Sequence, residues 1–174
     1  MSPEINDRGD SPLKVGSVAE FEREISEEDV LSFARNSGDW NPIHVDTDYA
    51  LTRNHRGRIV HGAFQIGLAS ALVGMHLPGG NVLLGSINSR FMAPIYFPCR
   101  VRVHGEITSW NPENSWGRVK VVVQEASTLV PSAEIFVGIT FQHELTVESP
   151  STEPDRSSTF IPDQKVILVT GASG

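Results

Sequence analysis

Residues 59–77 read IVHGAFQIGLASALVGMHL, and from Ala63 to Leu77 there is no Asp, Glu, Lys or Arg. Phe64, Ile66, Leu68, Leu72, Val73 and Met75 spread apolar groups nearly all round a helix that begins near His61-Gly62. Such a helix has no face suited to water, so other elements must wrap it on several sides. It is too short to cross a bilayer, which takes about 20 apolar residues. Pro78-Gly79-Gly80 then ends it.

The wrapping material follows directly. Val82 to Phe91, Arg100 to Trp110, Gly117 to Glu125 and Ala133 to Leu145 have strand-like composition, with turn signals at Pro98, at Asn111-Pro112-Glu113-Asn114 and at Pro131-Ser132. Their short connections predict an antiparallel sheet. The fold class is therefore α+β. The hot-dog arrangement, an antiparallel sheet curled round a long central helix, is one of several α+β solutions compatible with this pattern.

Upstream, Val15 to Ile25 alternates loosely and reads as a first strand. Ser26-Glu27-Glu28-Asp29 opens a helix, with Ser26 as N-cap and acids in the first turn. Val30, Leu31, Phe33 and Ala34 give it an apolar face, and Gly38 stands where a C-cap belongs. Asp39 to Asp46 is expected to be irregular, because Pro42 lacks a donor and pushes Asn41 toward an extended conformation. A short helix from Thr47 to about Arg53 follows.

The stretch richest in chemistry is Ser37-Gly38-Asp39-Trp40-Asn41-Pro42-Ile43-His44. A carboxylate and an imidazole lie five residues apart on a loop braced by Gly38 and Pro42. Such a loop can turn both side chains toward one point, whereas a regular helix spreads that spacing over more than a turn. Carboxylate and imidazole together can hold a water and move protons, the equipment for adding or removing water. An ordinary helix-ending loop, with Asp39 capping a turn and His44 exposed, is the competing account. A second piece, Ile59-Val60-His61-Gly62, opens the apolar helix, where free N–H groups and the dipole suit developing negative charge on an oxygen.

Taken with its downstream continuation, this stretch resembles the signature of the MaoC-like (R)-specific enoyl-CoA hydratases. The resemblance covers about Leu13 to Glu144. It implies a hot-dog domain over residues 11–146, in which Asp39 and His44 jointly bind and activate water. It gives Asn41 the place of the loop-bracing asparagine beside the substrate, and the Gly62 N–H the thioester carbonyl. Ser70 falls where the family carries a serine near the acyl group; a serine bonded back onto its own helix turn explains it otherwise. Arg53, Arg56 and Arg58 have no acid near them in the sequence, and Arg56 and Arg58 are candidate contacts to the phosphates of coenzyme A or a phosphopantetheine arm. A solvated basic loop is the commoner origin of such a cluster. The remaining histidines, His55, His61, His76, His104 and His143, form no metal-ligand pattern, so no metal is expected. One departure stands out: Pro98-Cys99 occupies the position of the family's usual Gly-Asp turn.

Residues 147–164 are rich in Ser, Pro, Thr and acids and read as a linker. Residues 165–174, KVILVTGASG, resemble the first strand and glycine-rich turn of a short-chain dehydrogenase/reductase domain, implying a truncated fusion. On that reading NAD(P) belongs only to the full-length fusion, and this chain needs no cofactor beyond the coenzyme A or phosphopantetheine thioester that is its substrate.

Composition narrows the classes further. A formal net charge of −7 disfavours nucleic acid as a partner. Cys99 is the only cysteine, so no internal disulfide can form. Met1 to Asp10 has no apolar stretch resembling a signal peptide, and the expectation is a cytoplasmic protein not associated with membranes. The function expected is a hydro-lyase acting on a small-molecule acyl thioester, as a homodimer. A hot-dog thioesterase and a non-catalytic acyl-thioester-binding or dimerisation module are the alternatives. A thioesterase would typically want an acid on or near the central helix, and Ala63 to Leu77 offers none.

Overall fold

A computed structural model describes residues 13–141, all within Met1–His143, the first of the two units into which the chain divides. Residues 147–174, for which a linker and the start of a reductase domain are expected from the sequence, lie outside the described residues.

The element order is β1 (Val18–Ile25), α1 (Glu27–Ser37), α2 (Pro42–Val45), α3 (Thr47–Thr52), α4 (Gly62–Met75), β2 (Val82–Phe91), β3 (Cys99–Asn111), β4 (Trp116–Glu125) and β5 (Pro131–Phe141). The strands form one five-stranded sheet in the order β1-β3-β4-β5-β2, every pair antiparallel. Helix α4 lies on one face, which makes this the α+β hot-dog arrangement.

The sheet's inner face is built by alternation. Val101, Val103 and Ile107 of β3, Val119, Val121 and Val123 of β4, and Ile135, Val137 and Ile139 of β5 are buried together with Leu68, Leu72 and Val73 of α4. Their outward neighbours carry charge: Lys120 pairs with Glu134 at 2.9 Å, Arg100 with Glu24 at 2.6 Å, and Arg102 with Glu20. Exposed pairs of this kind contribute about 1 kcal/mol or less each.

The start of α1 is set by a capping box. Ser26 Oγ accepts from the Asp29 N–H at 3.2 Å, and the Asp29 carboxylate accepts from the Ser26 N–H at 2.8 Å. The carboxylate is held below the usual Asp range mainly by the Ser26 backbone hydrogen bond, then by the Ser26 hydroxyl and Arg23. Gly38 ends the helix at φ 76°, in the left-handed region, with its N–H donating to the Ala34 carbonyl at 2.9 Å. A side chain there would be strained, so the glycine fixes the direction in which the next loop leaves.

Two expectations need correction. The segment after Gly38 is not wholly irregular: Pro42–Val45 is a one-turn helix with Pro42 in its first turn. Proline is tolerated there because the N–H it lacks would have had no intrahelical partner. Nor is the covering of α4 as even as its all-round apolar pattern suggests. The sheet covers Leu68, Ala69, Leu72 and Val73, while Ala63, Gly67 and Ala71 are exposed. These residues are small, and leaving them in water costs far less than exposing a leucine stripe.

Candidate active site

The site begins in the loop from Gly38 to His44, which is folded by its own side chains. Ser37 Oγ accepts from the Asp39 N–H at 3.2 Å, Asp39 Oδ1 from the Asn41 N–H at 3.2 Å, and Asn41 Oδ1 from the Ile43 N–H at 3.2 Å. Each short polar side chain satisfies a donor two residues on, the usual local chemistry of Asx turns. Asn41 is thereby the N-cap of α2 and an exposed residue, which is its loop-bracing duty. It does not line the cleft described below.

That turn of helix buries His44 to 9% exposure. Its Nδ1 lies 2.7 Å from the Ile59 carbonyl oxygen. A carbonyl only accepts, so Nδ1 carries the hydrogen and donates, and in the neutral ring Nε2 keeps its lone pair. Burial pushes the His44 imidazole below its ordinary pKa. Neighbouring His61 acts in the same direction, while the Ile59 hydrogen bond and the Asp39 carboxylate oppose it. The result is a neutral imidazole near pH 7 with one free basic nitrogen.

The Ile59-Val60 segment joins the two parts of the site. Ile59 bridges Tyr96, its N–H donates to the Ile43 carbonyl at 3.2 Å, and the Val60 N–H donates to the Ile95 carbonyl at 2.8 Å. Helix α4 then starts beside α2. Its N-cap, His61, makes no side-chain capping bond, so the first-turn N–H groups are left for another acceptor. His61 is 1% exposed and stacks on His44, with ring centroids 3.8 Å apart, and its Nε2 lies 3.0 Å from the Asp39 carbonyl oxygen. One side-chain ligand atom each from Asp39, His44 and His61 lie within 4.8 Å of one another, which gathers the carboxylate and the two rings at one place.

Against this cluster opens a cleft of about 360 Å³, lined by His44, Ile59, Val60, Gly62, Gln65 and Phe91 to Pro94. Its walls are chiefly apolar. Gly62 stands at the mouth, where an added Cβ would sit 3.2 Å from the Phe91 ring. The glycine therefore keeps the helix start close to that ring.

The other sequence-predicted residues lie apart from this centre. Ser70 is half-buried, two turns along α4, and does not line the cleft. Arg56 is exposed, its guanidinium 4.3 Å from the Tyr96 ring centroid. Arg58 is not the unpaired cation its sequence neighbours suggest: it bridges Glu27 of α1 at 2.8 Å and lies over Phe97 at 5.1 Å. The partner comes from the far end of α1, which local sequence cannot reveal.

Two residues were missed. His61 was set among the unremarkable histidines, and Gln65, 3% exposed, was not singled out. The only available signal was a polar residue in an otherwise apolar helix. The Asp39, His44 and His61 group is also a set of potential metal donors. The two rings, however, stack with planes only 28° apart, so their in-plane lone pairs run side by side instead of converging on one ion. Cys99 offers no thiolate here: burial, and then Glu125, push its pKa up to about 11.

A capped loop that sets the Asp39 carboxylate within 4.8 Å of an imidazole, with that imidazole lining an apolar cleft beneath the start of a long helix, marks a hot-dog hydratase class of site, although Asp39 itself is not among the residues that line the cleft. Residues 12–130 match the profile described as MaoC like domain, and the chain belongs to the MaoC-like family. It is 32% identical over 139 residues to a 3-hydroxybutyryl-CoA dehydratase of Methylorubrum extorquens, covering 80% of this chain and 88% of that protein. It is 34% identical over 129 residues to an (R)-specific enoyl-CoA hydratase of Rhodospirillum rubrum, covering 69% and 90%. Among solved structures, R-hydratase PhaJ1 from Pseudomonas aeruginosa in its unliganded form superposes with a TM-score of 0.69 at 30% identity, covering 82% of this chain and 92% of that one.

Proposed function

We propose that this chain catalyses the reversible addition of water to trans-2-enoyl thioesters, giving (3R)-3-hydroxyacyl thioesters. The observation that carries the reading is the pairing of Asp39 with His44, whose Nε2 is left basic by the hydrogen bond to Ile59. In the hydration direction, one water donates to the Asp39 carboxylate and to His44 Nε2. Its oxygen attacks C3 while His44 takes one of its protons, the C2–C3 π bond opens toward an enolate, and protonated His44 returns that proton to C2, so the H and OH of one water are added. Charge building on the thioester oxygen faces the Gly62 N–H, where a preorganised donor lowers the barrier. Dehydration is the same path reversed.

The (R) configuration comes from the relatives' names, and the thioester carrier is coenzyme A or phosphopantetheine. Arg56, exposed over the Tyr96 ring and without an ion pair among the described residues, is proposed to meet the carrier's phosphates. The Arg58 guanidinium is shared with Glu27. A thioesterase is the weaker reading, because α4 carries no acidic residue.

Two further parts of the reading concern assembly. The edge strands differ: β1 carries Glu20, Glu22, Arg23 and Glu24, whereas β2 exposes Leu83 and Ile87 and has Arg90 as its only charge. Charge protects an open edge, and its lack invites pairing, so we assign β2 to a homodimer contact. Residues 147–164 and 165–174 are proposed as linker and reductase-like start. In a fusion, reduction of a 3-oxoacyl thioester would then supply the 3-hydroxy substrate at high effective concentration.

The test is a spectrophotometric assay of crotonyl and longer enoyl thioesters, with free thiol followed in parallel. Loss of the enoyl absorbance without thiol release supports the hydratase. Thiol release would establish a thioesterase, and silence in both channels a binding module. Sedimentation at micromolar concentration tests the dimer, which a monomer would refute.

A further inference from the structure

The mechanism above uses Asp39, His44 and Gly62 and leaves unexplained two buried polar atoms beside them. His61 Nδ1 and Gln65 Oε1 are both shut away from solvent, and neither has a hydrogen-bond partner among the described residues. Buried groups of this kind are ordinarily satisfied, and exceptions call for an account.

The accounting starts at the other nitrogen of His61. Its Nε2 lies 3.0 Å from the Asp39 carbonyl oxygen, which can only accept, so Nε2 carries the hydrogen and neutral Nδ1 is a bare acceptor. Gln65 follows four residues later, in the first turn of α4, the spacing at which helix side chains become neighbours. Its Oε1 is also an acceptor. Two acceptors cannot answer one another, and the one donor that Gln65 itself can offer is its amide NH₂, which a rotation of the carboxamide would turn toward Nδ1. With Gln65 donating to Nδ1, His61 is locked as the Nε2–H tautomer that the Asp39 carbonyl requires.

His61 also touches the second half of the catalytic pair. Its ring stacks on His44 at 3.8 Å and on Phe33 of α1 at 4.8 Å, so one buried imidazole fixes both the backbone that carries Asp39 and the plane of His44. We propose that His61, backed by Gln65, is a positioning residue of the hydratase site, holding Asp39 and His44 at one water. This rests on the hydratase reading and deepens it.

The test compares His61→Gln, which keeps an N–H near the Nε2 position, with His61→Phe, which keeps the ring and loses the donor. For His61→Phe, kcat for crotonyl-thioester hydration is expected to fall about 10²-fold with KM little changed, the scale of a roughly 1 Å misplacement. His61→Gln should recover most of that loss, and Gln65→Leu should show a smaller fall of the same kind. The titration of the His44 ring is followed by NMR in each variant. The groups facing that ring are the Asp39 carboxylate, the Ile59 carbonyl and His61. Burial is the main cause of the lowered His44 pKa and His61 packs against that ring, so His61→Phe should displace the His44 titration, together with the acid limb of the rate profile. Equal losses in His61→Gln and His61→Phe with an unmoved His44 titration would reduce His61 to packing and overturn the proposal, as would His61→Phe activity within about threefold of the parent. A parent chain without hydratase activity would sink the functional reading instead; the NMR titration would still decide whether His61 governs His44.

Discussion

The loop from Gly38 to His44 and the mouth of α4 from Ile59 to Gln65 build the two sides of one site by different means. The loop is made of local bonds, each polar side chain answering a donor two residues away. The mouth is made of long-range ones: His44 to Ile59, His61 to Asp39, and Val60 to Ile95. The exposed Asp39 and the buried His44 of the loop carry the reacting groups, while buried residues at the mouth decide where those groups point. A substitution in the loop should remove chemistry, and one at the mouth should blur it.

The largest effect is expected for Asp39→Asn or His44→Ala, each lowering turnover by about 10²–10⁴-fold, the range for a positioned acid or base. Thermal melting should show little change for Asp39, which is exposed. The double variant should lose less than the product of the two, because the residues act on one water. Full multiplicativity in steady-state kinetics would separate their roles.

At the mouth, Gly62→Val should cost about 10²-fold in kcat/KM, the scale of displacing a preorganised donor. The added side chain meets the Phe91 ring, 3.2 Å from even an alanine Cβ, and must push the helix start or the ring aside. Phe91 is 47% exposed and can move, so the melting temperature should fall little. An unchanged kcat/KM would take the Gly62 N–H out of the mechanism.

A milder effect joins the two sides. His44 works as a neutral base, and burial holds its pKa below the ordinary imidazole value. Protonation therefore removes activity only as pH falls below about 6.5, and the rate is level just above it. A pH profile of kcat/KM checks this, and an acid limb well above 6.5 would mean that His44 is not the group being titrated.

The smallest effect is expected far from both regions. Deleting residues 148–174 should leave hydration and thermal stability nearly unchanged. A large loss of either would assign the tail to this domain.

These differences explain what the sequence disclosed. The strands and the helix ends at Ser26 and Gly38 were readable because caps, turns and alternation are local. The spacing of Asp39 and His44 was readable because both lie in one short loop. Helix α2 is hidden in the sequence because Pro42 reads as a breaker, although a first helical turn tolerates proline. Arg58 looked unpaired because Glu27 lies some thirty residues earlier in the chain. His61 and Gln65 escaped notice for a related reason: their importance comes from burial beside a distant loop, and neither residue type nor spacing encodes that.

The most direct test of the central claim is hydration in water labelled with heavy oxygen, followed by mass analysis of the product. If Asp39 and His44 add water to the double bond, the label enters the hydroxyl at C3 of an intact (3R)-hydroxyacyl thioester, and the Asp39→Asn chain forms that product far more slowly. Label recovered in a free carboxylate, or an enoyl thioester returned unlabelled, would contradict the account.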